Sequence, residues 1–331
     1  MNRQLRVTYI SWAESCSRSD HTARELGGTS HMVYAARFGS HVATILFKYV
    51  TQWVRTARIL RHEKPDTVFV MVPPVFAAMP AFLYAWRHRK RVVLDAHTAA
   101  FMLPRWRAFQ WLQKLFCRWA ATTLVSNDFL AGIVRNAGGH ATIVPDVPVV
   151  FQDSEPFHST AEFSVVAVCS FDYDEPIGAL FDAADTLPDV QFFVTGNPRK
   201  LAPDLRARVP KNVTLTGFLS TSSYAGLLKG ADIALVLTTY DHTMLRGAYE
   251  AIYQNTPVIV SDWPILREAF PYGALHVDNT AEGIAGAVRV ARASIAELHQ
   301  NARRLREEKL ARWGRTRASI IARIAPVEEP C

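Results

Sequence analysis

At 331 residues the chain is long for one domain and comfortable for two, and its 49% apolar content with a mean hydropathy of +0.03 is that of a globular protein. Four cysteines (Cys16, Cys117, Cys169, Cys331) lie far apart with no Cys-x2-Cys spacing, which argues against a zinc site and a disulfide scaffold and fits a reducing compartment. The net charge of +7 is unevenly shared: residues 1–152 carry 19 Lys and Arg against 8 Asp and Glu, whereas residues 153–331 carry 18 against 22, so the first half is the one suited to an anionic partner such as nucleic acid, a membrane surface or a phosphorylated substrate.

The N-terminus begins with a polar strand near 5–11 and has no apolar run of signal-peptide type, so a cytoplasmic location is expected. Residues 15–28 read as a polar loop carrying Arg18, His21, Gly27 and Gly28, with Arg18 or His21 able to meet a phosphate. The loop lacks the G-x-G-x-x-G pattern, which disfavours a dinucleotide fold. A long helix is expected near 40–62. Residues 67–86 form a stretch of twenty uncharged residues, the length that spans a bilayer. They also contain Pro73, Pro74 and Pro80 and open on β-branched residues, so they read as a strand, a Pro-Pro turn and a helix inside an α/β domain. A strand near 91–95 closes in Asp95-Ala96-His97-Thr98, where an imidazole could orient a reacting group or take a proton. A helix near 104–119 mixes Trp and Phe with Arg and Lys, as an interfacial helix on anionic lipid requires, and residues 84–91 add a basic cluster. Aromatic and basic residues together also suit nucleic acid, but no recognised nucleic-acid-binding module is present, and that partner is set aside. Strands near 121–126 and 141–144 complete the first half.

Residues 152–162 have no periodicity and read as an interdomain linker. Strands are then expected at 163–170, 190–196, 212–217, 231–238, 256–262 and 274–277, each ending in small or polar residues, followed by a basic helix near 297–324. Alternating strands and helices throughout imply parallel sheets with helices on both faces, and ligands outside the carboxyl ends of the strands. Asp172-Tyr173-Asp174 has the spacing of a divalent-metal acid pair, but Asp174-Glu175-Pro176 is more naturally the start of a helix.

The stretch 241–262, DHTMLRGAYEAIYQNTPVIVSD, carries the functional signal. Glu250-Ala251 followed by Thr256-Pro257-Val258-Ile259-Val260-Ser261-Asp262 resembles the second half of the Glu-x7-Glu motif of GT-B glycosyltransferases of the family 4 type. The first glutamate of that motif falls at His242. Gly196 and Gly217, each directly after a strand, resemble the glycine turns of the same donor domain. The resemblance implies two doubly wound domains facing a cleft: an acceptor-side domain over 1–151, a nucleotide-sugar domain over 163–296, and a helix over 297–325 packing back on the first domain. It implies that Glu250 accepts ribose hydroxyls, that Arg246, Gly247 and Thr243 lie by the diphosphate at a helix start, and that His97 and Asp95, with His242, form the catalytic side. Arg18, His21, Gly27 and Gly28 would form the acceptor side. The Arg…Lys pair that family 4 enzymes carry for the diphosphate is absent, leaving Arg246 in that role. The expected activity is sugar transfer from a nucleotide sugar to a lipid-linked or polysaccharide acceptor at the inner membrane face. The protein would be peripheral on an anionic surface, with no metal or other cofactor and with the anomeric configuration retained. An inactive glycosyltransferase-like binding subunit and a GT-B sugar-nucleotide epimerase are the alternatives.

Overall fold

The computed structural model describes residues 5–38, 44–241 and 243–325, so His242 lies outside the described residues. The chain forms two compact units, Met1–Val147 with Arg312–Cys331, and Pro148–Ala311. The first holds β1 (Val7–Ser11), β2 (Thr29–Met32), β3 (Thr67–Val72), β4 (Arg91–Ala96), β5 (Thr122–Val125) and β6 (Ala141–Ile143) in the order β2-β1-β3-β4-β5-β6. The second holds β7 (Phe163–Ala167), β8 (Val190–Thr195), β9 (Val213–Gly217), β10 (Ile233–Val236), β11 (Val258–Ser261) and β12 (Ala274–Val277), ordered β12-β11-β10-β7-β8-β9. Every pairing is parallel. The expected α/β class is therefore observed.

A parallel sheet is covered on both faces, so its strands are apolar at every position rather than at alternate ones. All six residues of β3 are buried. Val68, Val70 and Val72 face one core with helices Ala78–His88 and Gln110–Trp119, while Phe69 and Met71 face another with helix Ser17–Glu25. Trp313, Ile320 and Ile324, from the end of the helix Ile295–Ile324, join that second core, and the Trp313 indole donates to Glu25 Oε2 at 2.8 Å. The uncharged stretch 67–86 is indeed a strand, a turn and a helix, and no helix among the described residues is long and apolar enough to cross a membrane.

The polar segment after β1 differs from the expected loop. It is the helix Ser17–Glu25, and its two buried polar residues have partners: Ser19 the Ser11 hydroxyl at 2.6 Å, Thr22 the Arg18 carbonyl one turn back at 2.7 Å. Gly27 and Gly28 terminate this helix. Gly27 adopts the left-handed conformation (φ +69°), and the pair closes a Schellman turn through Gly27 N to Arg24 O (3.0 Å) and Gly28 N to Ala23 O (2.8 Å). A Cβ on Gly28 would stand 2.4 Å from the Val7 carbonyl oxygen, so this glycine lets the turn press on β1. Strand β2 follows immediately. It is an edge strand, half exposed and polar (Thr29, Ser30, His31), and has no hydrophobic run to announce it.

The helix expected near 40–62 is Ile45–Glu63, with residues 40–43 outside the described ones. The one expected over 104–119 is a 3-10 turn, Pro104–Phe109, running into the α-helix Gln110–Trp119. Residues 152–162 hold no helix or strand and lie along helix Thr221–Gly230: Glu155 accepts from the hydroxyls of Ser222 and Ser223, both at 2.7 Å.

Because the neighbour of Gly28 is backbone, Gly28→Ala should cost about 1–3 kcal/mol of stability, as overpacking does. Denaturant unfolding checks this; an unchanged midpoint would mean that the turn relaxes freely.

Candidate functional site

In the second sheet the strand order reverses between β7 and β10, and ligands of doubly wound sheets bind at the carboxyl edge beside such a reversal. The loops after β7, β8 and β10 and the helix Arg246–Tyr253 meet there. That helix starts at Arg246, after Leu245 and without a side-chain cap. Thr243 therefore precedes the helix start, in the connecting loop, rather than lying on its first turn. Gly247 brings the helix against the end of β7: a Cβ there would be 2.6 Å from Cγ1 of Val168, the residue just past the strand, so the close approach it permits is to a protein side chain.

Glu250 lies one turn in, with its side chain 13% exposed. Its Oε2 accepts from the Tyr224 hydroxyl at 2.8 Å and its Oε1 from Arg246 Nε at 2.9 Å. The two residues assigned to separate parts of the donor are thus paired with each other, because positions four apart face the same way on a helix. Burial, and then the Glu250 carboxylate, push the Tyr224 phenol well above its ordinary pKa, so it stays a neutral donor. The pairing holds the carboxylate in one orientation.

The loop after β7 is built around another carboxylate. Phe171 is left-handed (φ +58°), and the turn presents the N–H groups of Ser170 and Asp172 to Glu175, at 3.0 and 3.2 Å. Burial pushes the Glu175 pKa up, while these backbone donors oppose the rise. Glu175 thus folds back into a backbone nest rather than serving the following helix, Ile177–Asp185. Asp172 pairs with Lys200 Nζ at 3.4 Å, and Asp174 accepts from the Thr238 hydroxyl at 2.7 Å. The two aspartates have separate partners, and no cluster of three His, Cys, Asp or Glu suited to a metal occurs among the described residues. Gly196 (φ +104°) closes on this loop, where a Cβ would meet the Cys169 carbonyl oxygen at 2.6 Å; Gly217 (φ +71°) ends β9 with open space around it. Lys200 was not singled out in the sequence. It reaches Asp172 because Asn197 caps the turn Pro198–Lys200 through the Arg199 N–H at 3.1 Å.

At the carboxyl edge of the first sheet, Asp95 is fully buried, accepting from Tyr9 OH and from Arg18 Nε at 3.0 Å. Arg18 also donates to the Val144 carbonyl at 3.1 Å. Both roles expected for these residues change. Asp95 is an internal counter-ion, and Arg18, assigned to a phosphate, is committed to Asp95. Burial alone would raise the Asp95 pKa, but the Arg18 and His97 charges outweigh it and hold the carboxyl below its ordinary value. Burial likewise opposes the Arg18 charge, and Asp95 more than restores it. His97 is the N-cap of the short helix Thr98–Met102 without a side-chain cap bond: its carbonyl accepts from the Ala100 N–H at 2.8 Å, its own N–H donates to Val72 O at 2.9 Å, and the residue is half-buried. His21 is a half-buried member of helix Ser17–Glu25, and Gly27 and Gly28 serve its end.

No protein-family model matches the chain, and no curated protein matches it in sequence. Solved structures do match in fold. Sucrose-phosphate synthase from Thermosynechococcus elongatus superposes with a TM-score of 0.70 at 14% identity, covering 96% of this chain and 97% of that one. Anabaena HepE, solved with UDP and glucose, gives 0.70 at 12% identity, covering 96% and 99%. The glycosyltransferase of kitacinnamycin gives 0.62 at 18% identity, covering 98% and 100%. At these identities the likeness is one of fold: the chain has the α/β fold of GT-B glycosyltransferases, a fold shared with nucleotide-sugar-dependent transferases.

Removing one partner of the buried Asp95–Arg18 pair strands the other charge, so Asp95→Leu and Arg18→Met should each cost about 3–5 kcal/mol. The double variant should lose less than the two singles together. The Asp95 carboxyl is depressed in the folded state, so its contribution is present above the unfolded value of about 3.9 and lost as pH falls below it. Urea unfolding of wild type and Asp95→Asn from neutral to acid pH checks this; parallel stability curves below pH 4 would remove Asp95 from the account.

Proposed function

We propose that this protein is a glycosyltransferase of the family 4 type, moving a sugar from a nucleotide-activated donor to a lipid-linked or polysaccharide acceptor at the cytoplasmic face of a membrane. The observation that carries the reading is Glu250, held by Tyr224 and Arg246 at the start of the helix after β10 and followed by the Thr256–Asp262 run. The fold likeness to HepE, solved with UDP and with UDP-glucose, supports a nucleotide-sugar donor.

In this reading Glu250 accepts the ribose hydroxyls, and the uncapped N–H groups of Arg246 and Gly247 with the Arg246 guanidinium take the diphosphate. The acceptor hydroxyl oxygen bonds to the anomeric carbon while the bond from that carbon to the phosphate oxygen breaks. The hydroxyl proton leaves to a base, for which the family resemblance offers His97, and the nucleoside diphosphate departs. The family 4 resemblance implies retention of configuration, which requires the hydroxyl to approach from the face that the diphosphate leaves. Charge neutralisation falls to Arg246 and backbone N–H groups, without a metal. A second reading, an inactive glycosyltransferase-like binding subunit, is favoured by Glu175, whose carboxylate already fills the backbone nest after β7. Such a subunit would neither hydrolyse nor transfer any donor.

Glu250→Gln keeps the shape but loses the charge-assisted part of the ribose contacts, so nucleoside diphosphate affinity should fall about ten- to a hundred-fold. Calorimetric titration with UDP and other nucleoside diphosphates decides it, and equal affinity in the variant would place the nucleotide elsewhere.

His97→Ala should lower transfer by about 10²-fold or more while leaving nucleotide affinity in place, as expected for a lost acid/base or orienting group. Wild-type turnover in a folded His97→Ala protein would leave His97 a structural residue.

A further inference from the structure

One face of the first sheet is covered by helices Ile45–Glu63, Ala78–His88 and Gln110–Trp119, and their outer surface is unusual for a helical layer. Leu46, Phe47, Val50 and Val54 are exposed on the first helix, Leu83 and Trp86 on the second, and Trp111 and Trp119 on the third. Trp86 is 79% exposed and Trp119 60%. A groove of about 910 Å³ opens among these helices, with Trp53, Met79, Phe82, Trp86, Phe116 and Trp119 as its walls. It reaches down to Val92 and Ala121, at the amino-terminal ends of β4 and β5, with Lys90 and Arg91 beside them. A smaller hollow of about 270 Å³ between the first two helices shares Trp53 and Leu83 with it and extends to Arg87. The larger groove is of the size that takes a small-molecule ligand.

Charge distinguishes what this groove suits. Between positions 44 and 119 the chain carries 13 Lys and Arg against three carboxylates, Glu63, Asp66 and Asp95. All three carboxylates are engaged: Glu63 with His31, Asp66 with Arg6 and Lys90, Asp95 with Arg18. Cations at a helix C-terminus are favoured by the helix dipole, which accounts in part for Arg87, Arg89 and Lys90. The dipole does not account for an exposed indole one residue before them or for a second across the groove. Apolar walls bordered by cations match a molecule with a hydrocarbon chain and an anionic head, and indoles beside Arg and Lys suit the headgroup boundary of a bilayer.

We propose that this groove takes a hydrocarbon chain of an anionic membrane lipid, the lipid phosphate meeting the cations that border it, Lys90 and Arg91 in its own wall and Arg87 in the adjoining hollow. The inference deepens the membrane-face part of the functional reading and makes no use of the donor site. Chain insertion contributes apolar burial that salt does not screen, while the cations contribute a part that salt does. Binding therefore weakens with ionic strength without disappearing.

The test uses the full chain with vesicles of phosphatidylcholine alone or mixed with phosphatidylglycerol, the latter also with brominated acyl chains. Flotation should recover the protein with the mixed vesicles and not with the neutral ones, and the brominated chains should quench its tryptophan fluorescence. Trp86→Ser with Trp119→Ser alters two largely exposed positions, so the fold is retained, and binding should weaken by at least about tenfold. Leu83→Asp, also at an exposed position, should act in the same direction. Equal flotation with neutral vesicles overturns the anionic head, and flotation without bromine quenching or without loss in the variants overturns the groove. Absence of vesicle binding, with a dimer in sedimentation that the Trp86→Ser/Trp119→Ser variant abolishes, would give the face to a second copy and overturn the proposal. UDP titration without vesicles is read separately: lipid binding without nucleotide binding defeats the transferase reading alone, and nucleotide binding without lipid binding defeats this inference alone.

Discussion

Two parallel strands cannot be joined by a tight hairpin; each must be reached by a crossover that returns the chain to the same end of the sheet. In this protein that condition applies to all ten strand pairings described, and the rest of the structure answers to it. Crossover helices cover both faces, so strands such as β3 are buried at every residue. All carboxyl ends of a sheet point to one edge, where the connecting loops collect polar residues that no strand could bury. In the second unit the order reverses between β7 and β10, and the loop around Glu175, the helix carrying Glu250 and the turn carrying Lys200 gather beside that reversal.

Carboxylates show how the chain handles charge as burial increases. Asp95 is fully buried and has a guanidinium and a phenol for partners, because an isolated carboxylate in that setting would cost several kcal/mol. Glu250 is partly exposed and has one phenol and one guanidinium on separate oxygens, an arrangement that sets its direction yet leaves it able to accept from a ligand. Glu175 has backbone N–H groups for partners, the same donors that bind phosphates in other turns of this shape. These three acids thus serve as counter-ion, oriented acceptor and occupant of an anion nest, and their surroundings rather than their chemistry separate the roles.

The two faces of the first sheet are finished differently. One is closed by helix Ser17–Glu25 and by Trp313, Ile320 and Ile324 of the last helix, with the Trp313 indole bonded to Glu25. The other carries three helices whose inner sides pack on Val68, Val70 and Val72 while their outer sides still show indoles and aliphatic chains. An apolar surface of this extent, set among cations, is a feature of proteins that meet another phase or partner.

Most of the architecture is local information and was readable as such. Eleven of the twelve described strands fall at the expected places, and the central ones, such as β3, are continuous apolar runs because a strand buried on both faces must be apolar throughout. The Pro73-Pro74 turn split an apparent span into a strand and a helix, and the run after Glu250 marked the helix Arg246–Tyr253 and the strand after it. Strand β2 escaped, since an edge strand has water for half its neighbours and needs no apolar run. The pairing of Arg18 with Asp95 also escaped: 77 positions separate them, and nothing in either neighbourhood names the other. The same holds for Tyr224 with Glu250 and for Lys200 with Asp172. The sequence by itself determined which segments become strands and helices and where the polar loops fall, because periodicity and burial are properties of neighbouring residues. Only the tertiary structure decided which charges are spent on one another and which remain for a ligand, because an ion pair depends on distances that the folding of the whole chain creates.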